Sequence, residues 1–136
     1  MTAIVPTDRE LEALKVLWHA GKATVRDIAT TMNRNDVRLA YTTVLSLLQV
    51  MEQKELVGHE RVGKAYLYFP RVKRESTYRE LTEGFLERVF DGAVDEYLVH
   101  ALQSRRLRED ELGRLEEMIA EAKRQSRPKG RKGRKK

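Results

Sequence analysis

Apolar positions recur along this chain at helical spacing, then briefly at strand spacing, then at helical spacing again. The clearest stretch is Ala40 to Val57. Val44, Leu47, Leu48 and Met51 fall at i, i+3, i+4 and i+7 there and define one face of a helix. Tyr41, Thr42, Thr43, Ser46, Gln49 and Gln53 lie mostly off that face. This second surface carries hydroxyls and amides and no charge, whereas a solvated helix face is usually rich in Lys and Glu. Short uncharged donors and acceptors suit base edges and phosphate oxygens. The free N–H groups at the helix start favour a phosphate. Taken alone, the helix is equally a plain surface helix.

Two shorter helices precede it. Thr7-Asp8-Arg9-Glu10 has the T-x-x-E form of a capping box and starts a helix that turns Leu11, Leu14, Leu17 and Trp18 inward, with Gly21 as its stop. Thr24 caps a second helix, whose buried face is Val25, Ile28, Ala29 and Met32. Asn33 to Leu39 reads as a turn. After Glu55 the period becomes two: Leu56–Val62 and Ala65–Phe69 read as a hairpin around Gly63-Lys64, with Arg61 and Lys64 exposed at its tip. Tyr66 and Tyr68 share one face of it, Leu67 and Phe69 the other. Three helices followed by a hairpin with a basic tip form a winged helix-turn-helix, an arrangement that lays its third helix in the major groove and its wing on the backbone.

Pro70 closes the hairpin, and a polar connector runs to Glu75. Thr77 to Glu80 can cap a fourth helix with the stripe Leu81, Phe85, Val89 and Phe90. Gly92 breaks the pattern; Val94, Tyr97, Leu98, Ala101 and Leu102 give a fifth helix, and Leu107, Leu112, Leu115, Ile119 and Ala122 a sixth. Three short amphipathic helices bury too little area to fold alone, so self-association into a homodimer is expected, with packing back on the N-terminal domain as the alternative. The fold class is mainly α with a small β-hairpin: a winged helix domain over residues 1–72, a helical dimerisation domain over 73–122, and a disordered basic tail over 123–136.

Charge sharpens this division. The formal net charge is +6. Residues 1–72 hold ten Lys/Arg against eight Asp/Glu, residues 73–122 eight against thirteen, and residues 123–136 nine against none, for net charges of +2, −5 and +9. The basic excess is almost all in the tail, which has no apolar face to bury. No cysteine is present, which excludes disulfides, thiolate metal sites and cysteine nucleophiles. The three histidines, His19, His59 and His100, stand in no metal-ligand spacing, and neither a nucleophile elbow nor a phosphate-binding loop occurs. No enzyme, metal or cofactor is expected. No apolar run is long enough to span a membrane and the N-terminus lacks a signal-peptide core, so the expected location is cytoplasmic.

Ala40 to Leu48, Lys54 to Val57 and Gly63-Lys64-Ala65-Tyr66-Leu67-Tyr68 together resemble the penicillinase-repressor (BlaI/MecI-type) family of transcriptional regulators. Leu11 to Trp18 is similar to that family's first helix, and Val89-Phe90-Asp91-Gly92 to its dimerisation region. The resemblance runs from about Thr7 to Ile119. It implies a repressor that binds a double-stranded operator dyad as a homodimer. Tyr41, Thr42, Thr43 and Ser46 would face the operator, Arg61 and Lys64 would lie on the wing, and Leu81, Phe85, Val89, Phe90, Leu98, Leu102, Leu115 and Ile119 would lie in the dimerisation helices. The family also brings a membrane sensor-protease as a partner, which cleaves an Asn-Phe bond in its β-lactam-responsive members; His100-Ala101 stands at that place here. Copper-responsive relatives carry C-terminal cysteines, which this chain lacks. Two other readings stay open from the residues alone: a module that docks a protein partner, and a general nucleic-acid binder dominated by the tail. Sequence-specific binding in the presence of competitor DNA separates the repressor from both.

Overall fold

Helix α1 (Asp8–Ala20) begins at the expected capping box. The Thr7 hydroxyl accepts from the Glu10 N–H at 3.2 Å, and Glu10 Oε1 accepts from the Thr7 N–H at 2.9 Å. The computed structural model describes residues 5–35 and 38–126, and these divide along the chain into two units, the first ending at Gly92 and the second beginning at Ala93.

In the first unit, α2 (Val25–Met32) is capped by Thr24 and buries Val25, Ile28, Ala29 and Met32, all four of the positions expected. A single 3-10 turn (Asn33–Asn35) follows. The Asn33 side chain brackets the loop beyond it, donating to the Leu39 carbonyl at 3.0 Å and accepting from the Leu39 N–H at 2.7 Å. The expected turn is thus seen at both ends; Asp36 and Val37 lie outside the described residues.

Helix α3 (Tyr41–Gln53) buries Val44, Leu48 and Met51 against Leu14 and Leu17 of α1, Ile28 of α2, and Leu56, Val57 and Tyr68, with Leu47 partly buried at the margin. It ends where Glu55 turns left-handed (φ 65°), with the Leu56 N–H returning to the Met51 carbonyl at 2.9 Å.

The hairpin pairs β2 (Val57–Val62) with β3 (Ala65–Pro70), Val62 opposite Ala65 and His59 opposite Tyr68. The sequence reading has two strands; the sheet has three. Ala23 and Thr24 form β1, which pairs with β3 opposite Tyr68 and Leu67, giving the order β1-β3-β2. Two residues are too short a run to show alternation, so this strand leaves no periodic signal.

The same unit holds a carboxylate with two tasks. Glu10 is 2% exposed, and beyond its capping bond it accepts from Lys54 Nζ at 2.8 Å, so it joins the start of α1 to the C-cap of α3. Burial raises the Glu10 pKa, but the hydrogen bonds from Lys54 and from the Thr7 N–H outweigh it and hold the carboxyl below its ordinary value. A carboxyl lowered on folding contributes stability above its unfolded-state pKa and loses it as pH falls through the folded-state value. Urea melts should therefore show stability falling below about pH 5. Glu10→Gln should cost about 1 kcal/mol or more near neutral pH and flatten that acid limb. An unaltered acid limb in the variant would contradict this assignment.

Helix α4 (Arg74–Phe90) starts a turn before the expected cap. Thr77 is not the N-cap but a buried residue inside the helix, 4% exposed. A tertiary anchor accounts for the shift. The Trp18 indole N–H donates to the Val72 carbonyl at 2.9 Å, and the Trp18 ring meets Tyr78 edge-on at 5.7 Å. Asp91 (φ 51°) and Gly92 (φ 84°) then end α4 in left-handed geometry.

The second unit contains α5 (Val94–Ser104) and α6 (Glu109–Ser126), and neither helix buries a residue. Helix α6 runs four residues into the segment expected to be tail. Lys123 and Arg124 sit in its last turn, where cations complement the helix dipole, and Arg124 and Gln125 bond back to Glu121. The rest of the expected tail, residues 127–136, lies outside the described residues. Among the described residues no helix is long and apolar enough to cross a membrane, and no group of His, Asp or Glu is placed to hold a metal ion.

Candidate nucleic-acid interface

The burial of Val44, Leu48 and Met51 fixes which side of α3 faces outward. Tyr41, Thr42, Thr43, Ser46, Gln49 and Gln53 are all exposed, Tyr41 at 51%. At the start of α3 the N-cap Ala40 supplies no side-chain acceptor, so no side chain caps the first-turn N–H groups beside Tyr41, Thr42 and Thr43. Val50, 44% exposed, stands four residues after Ser46 and three before Gln53. Val50 is not among the polar positions that periodicity picks out for this surface; its spacing from Thr43 and Ser46 is the sequence signal that places it there. An apolar group among hydroxyls and amides suits a thymine methyl. Glu52 is the one charged residue in α3.

The wing stands beside this helix. Arg61 and Lys64 are exposed near its tip. The Arg61 side chain is aimed by two contacts: its Nε–H donates to the Gly63 carbonyl at 3.0 Å, and its guanidinium lies 5.7 Å from the centroid of the Tyr66 ring. An open groove between helix and wing is lined by Thr24, Arg26, Asp27, Tyr41, Leu45, Gln49, Glu52, His59, Lys64, Tyr66 and Tyr68. Burial, with Glu52, Tyr41 and Tyr66 nearby, pushes the Tyr68 hydroxyl pKa up, so it stays a neutral group. His59, one of the isolated histidines of the sequence, pairs with Glu52 across this groove. Lys22 pairs with Glu60 on the neighbouring strand position.

The family model of the penicillinase repressor matches residues 6–121. The chain belongs to the penicillinase repressor family. A penicillinase repressor from Bacillus licheniformis is 25% identical over 118 residues, covering 86% of this chain and 91% of its own. Among solved structures, the DNA binding domain of the repressor BlaI aligns with a TM-score of 0.47 at 19% identity, covering 54% of this chain and 88% of that one. A homodimeric winged helix-turn-helix DNA-binding domain from Mycobacterium bovis aligns with a TM-score of 0.43 at 27% identity, covering 68% of this chain and 72% of that one. The penicillinase repressor family is one of transcriptional repressors rather than enzymes, and the helices and wing described above are the winged-helix half of this member.

The remaining residues singled out from the sequence fall on the other helices. On α4, Leu81 and Phe90 are half-buried, while Phe85 and Val89 are 39% and 50% exposed; the Phe85 and Phe90 rings lie 5.8 Å apart. On α5, Leu98 is half-buried and Leu102 exposed; on α6, Leu115 is half-buried and Ile119 exposed.

Proposed function

We propose that this chain represses transcription by binding a double-stranded operator dyad as a homodimer, with Tyr41, Thr42, Thr43 and Ser46 reading the operator and Arg61 and Lys64 holding its backbone. The observation that carries the reading is the exposed, uncharged hydroxyl and amide face of α3, set beside a wing with two exposed cations. Bases are read by short donors and acceptors, and phosphates are held by cations and helix starts; α3 and the wing supply one of each. The dimer forms through residues 77–122, where Val89, Val94, Leu102, Leu112 and Ile119 leave large apolar side chains in water. Its place of action is the cytoplasm. The basic residues after Ser126 add an electrostatic arm that holds phosphates without reading bases.

A membrane sensor-protease as the releasing partner meets two obstacles. The bond in question is His100-Ala101 rather than Asn-Phe, and it lies in the middle of α5, whose backbone must unwind before a protease can engage it.

The test is Thr43→Ala. It should weaken operator binding by roughly 1–3 kcal/mol while leaving the thermal melt unchanged, because the side chain lies off the buried stripe. Equal operator affinity in parent and variant would overturn the assignment.

A further inference from the structure

We infer that Glu52 and His59 form a protonation-dependent strut between the reading helix and the wing, which makes the affinity for DNA rise as pH falls. The inference rests on the DNA-reading function proposed above.

His59 Nδ1 lies 2.7 Å from one oxygen of Glu52 and 2.9 Å from the other. A carboxylate only accepts, so Nδ1 carries a proton and donates. The same ring is held from β3, edge-on to Tyr66 and tilted against Tyr68, each 5.3 Å between centroids. The imidazole is therefore a fixed bridge: a carboxylate of α3 on one side and two rings of the wing on the other. Arg61 follows two residues on along the same strand, with its guanidinium over the Tyr66 ring.

The charge balance gives the bridge a consequence. Glu52 is the one charge within α3, and it is negative, on an element that has to approach phosphates. With His59 neutral the pair carries −1; with His59 protonated it carries none. The other charged or titratable groups facing the groove are Arg26 and Asp27 of α2, Tyr41 of α3, Arg61 and Lys64 of the wing, and Tyr66 and Tyr68 of β3. Carboxylates, tyrosines, lysines and arginines keep their charge between about pH 6 and 8, whereas an imidazole changes its own there. Phosphates beside the wing favour the protonated ring, so binding takes up a proton and strengthens as pH falls. His59 is a positioning residue: it acts on DNA through Glu52 and through the seat of the wing.

The experiment is fluorescence anisotropy of the full chain at constant ionic strength from about pH 8 to about pH 6. It uses a duplex selected from a random pool and a scrambled duplex of the same composition. Parent affinity for the selected duplex should rise about two- to fivefold per half-site over that range. His59→Gln should abolish the rise, and His19→Gln and His100→Gln should keep the parental profile. Both side chains of the pair are more than a third exposed, so these variants keep the core, which thermal melts verify. A flat parental profile, or a parental profile in His59→Gln, would overturn the strut. Equal affinity for the two duplexes at every pH would overturn the reading function itself, and the strut with it.

Discussion

Val89→Asp should give a folded monomer with at least about 100-fold weaker operator binding. Val89 is 50% exposed in the single chain, so an Asp there costs the isolated fold within about 0.5 kcal/mol. In a dimer that covers the α4 stripe, the same carboxylate would be buried without a partner, at a cost of several kcal/mol. The two expectations separate cleanly. A residue needed only for folding would lower the melting temperature; a residue at an interface lowers the association constant and leaves the monomer folded. Operator binding falls because a dimer gains from holding two half-sites at once, typically by two to four orders of magnitude over one. Sedimentation at micromolar concentration checks the assembly, and circular dichroism checks the fold. A dimeric Val89→Asp protein would remove α4 from the interface.

Leu48→Ala should cost about 2–5 kcal/mol of stability. Leu48 is fully buried among side chains from all three N-terminal helices and the sheet. Removing its branched end loses transfer energy and leaves a cavity that a close-packed core only partly refills. Small domains are stable by only about 5–15 kcal/mol, so this is a large share of the total. Urea denaturation measures it, with the midpoint lowered at an unchanged slope. Leu48 and Thr43 sit on opposite sides of one helix, and their variants should fail differently: Leu48→Ala in stability with little change in affinity per folded molecule, Thr43→Ala in affinity alone. A loss below about 1 kcal/mol for Leu48→Ala would mean that α3 is not seated as described.

The helical faces were legible because local periodicity and burial agree. Val25, Ile28, Ala29 and Met32 are at once the apolar positions of α2 and its buried ones, and Thr7 and Thr24 cap where a hydroxyl three residues before a free N–H can cap. What the sequence concealed depends on contacts between distant residues. Strand β1 is two residues long and exists because β3 offers an edge to Ala23 and Thr24. Helix α4 starts at Arg74 rather than after Thr77 because Trp18, 54 positions away, fixes the Val72 carbonyl. Glu10 reads locally as a capping residue, and its bond to Lys54, 44 positions on, carries no local signature. His59 looked isolated for the same reason: Glu52 and Tyr66 are seven residues before and after it, across a helix end and a hairpin turn. The outward side of α3 was legible in advance because it is the complement of a buried stripe; which of its hydroxyls would meet a base depends on the DNA sequence, which periodicity does not contain.

Selection of duplexes from a random DNA pool by this chain tests the central claim most directly. The account predicts enrichment of an inverted repeat, with half-sites spaced by about one helical turn or a multiple of it, and loss of that enrichment when Thr42, Thr43 and Ser46 are all replaced by alanine. Recovery of sequences without a dyad, or the same enriched dyad from the triple variant, would contradict it.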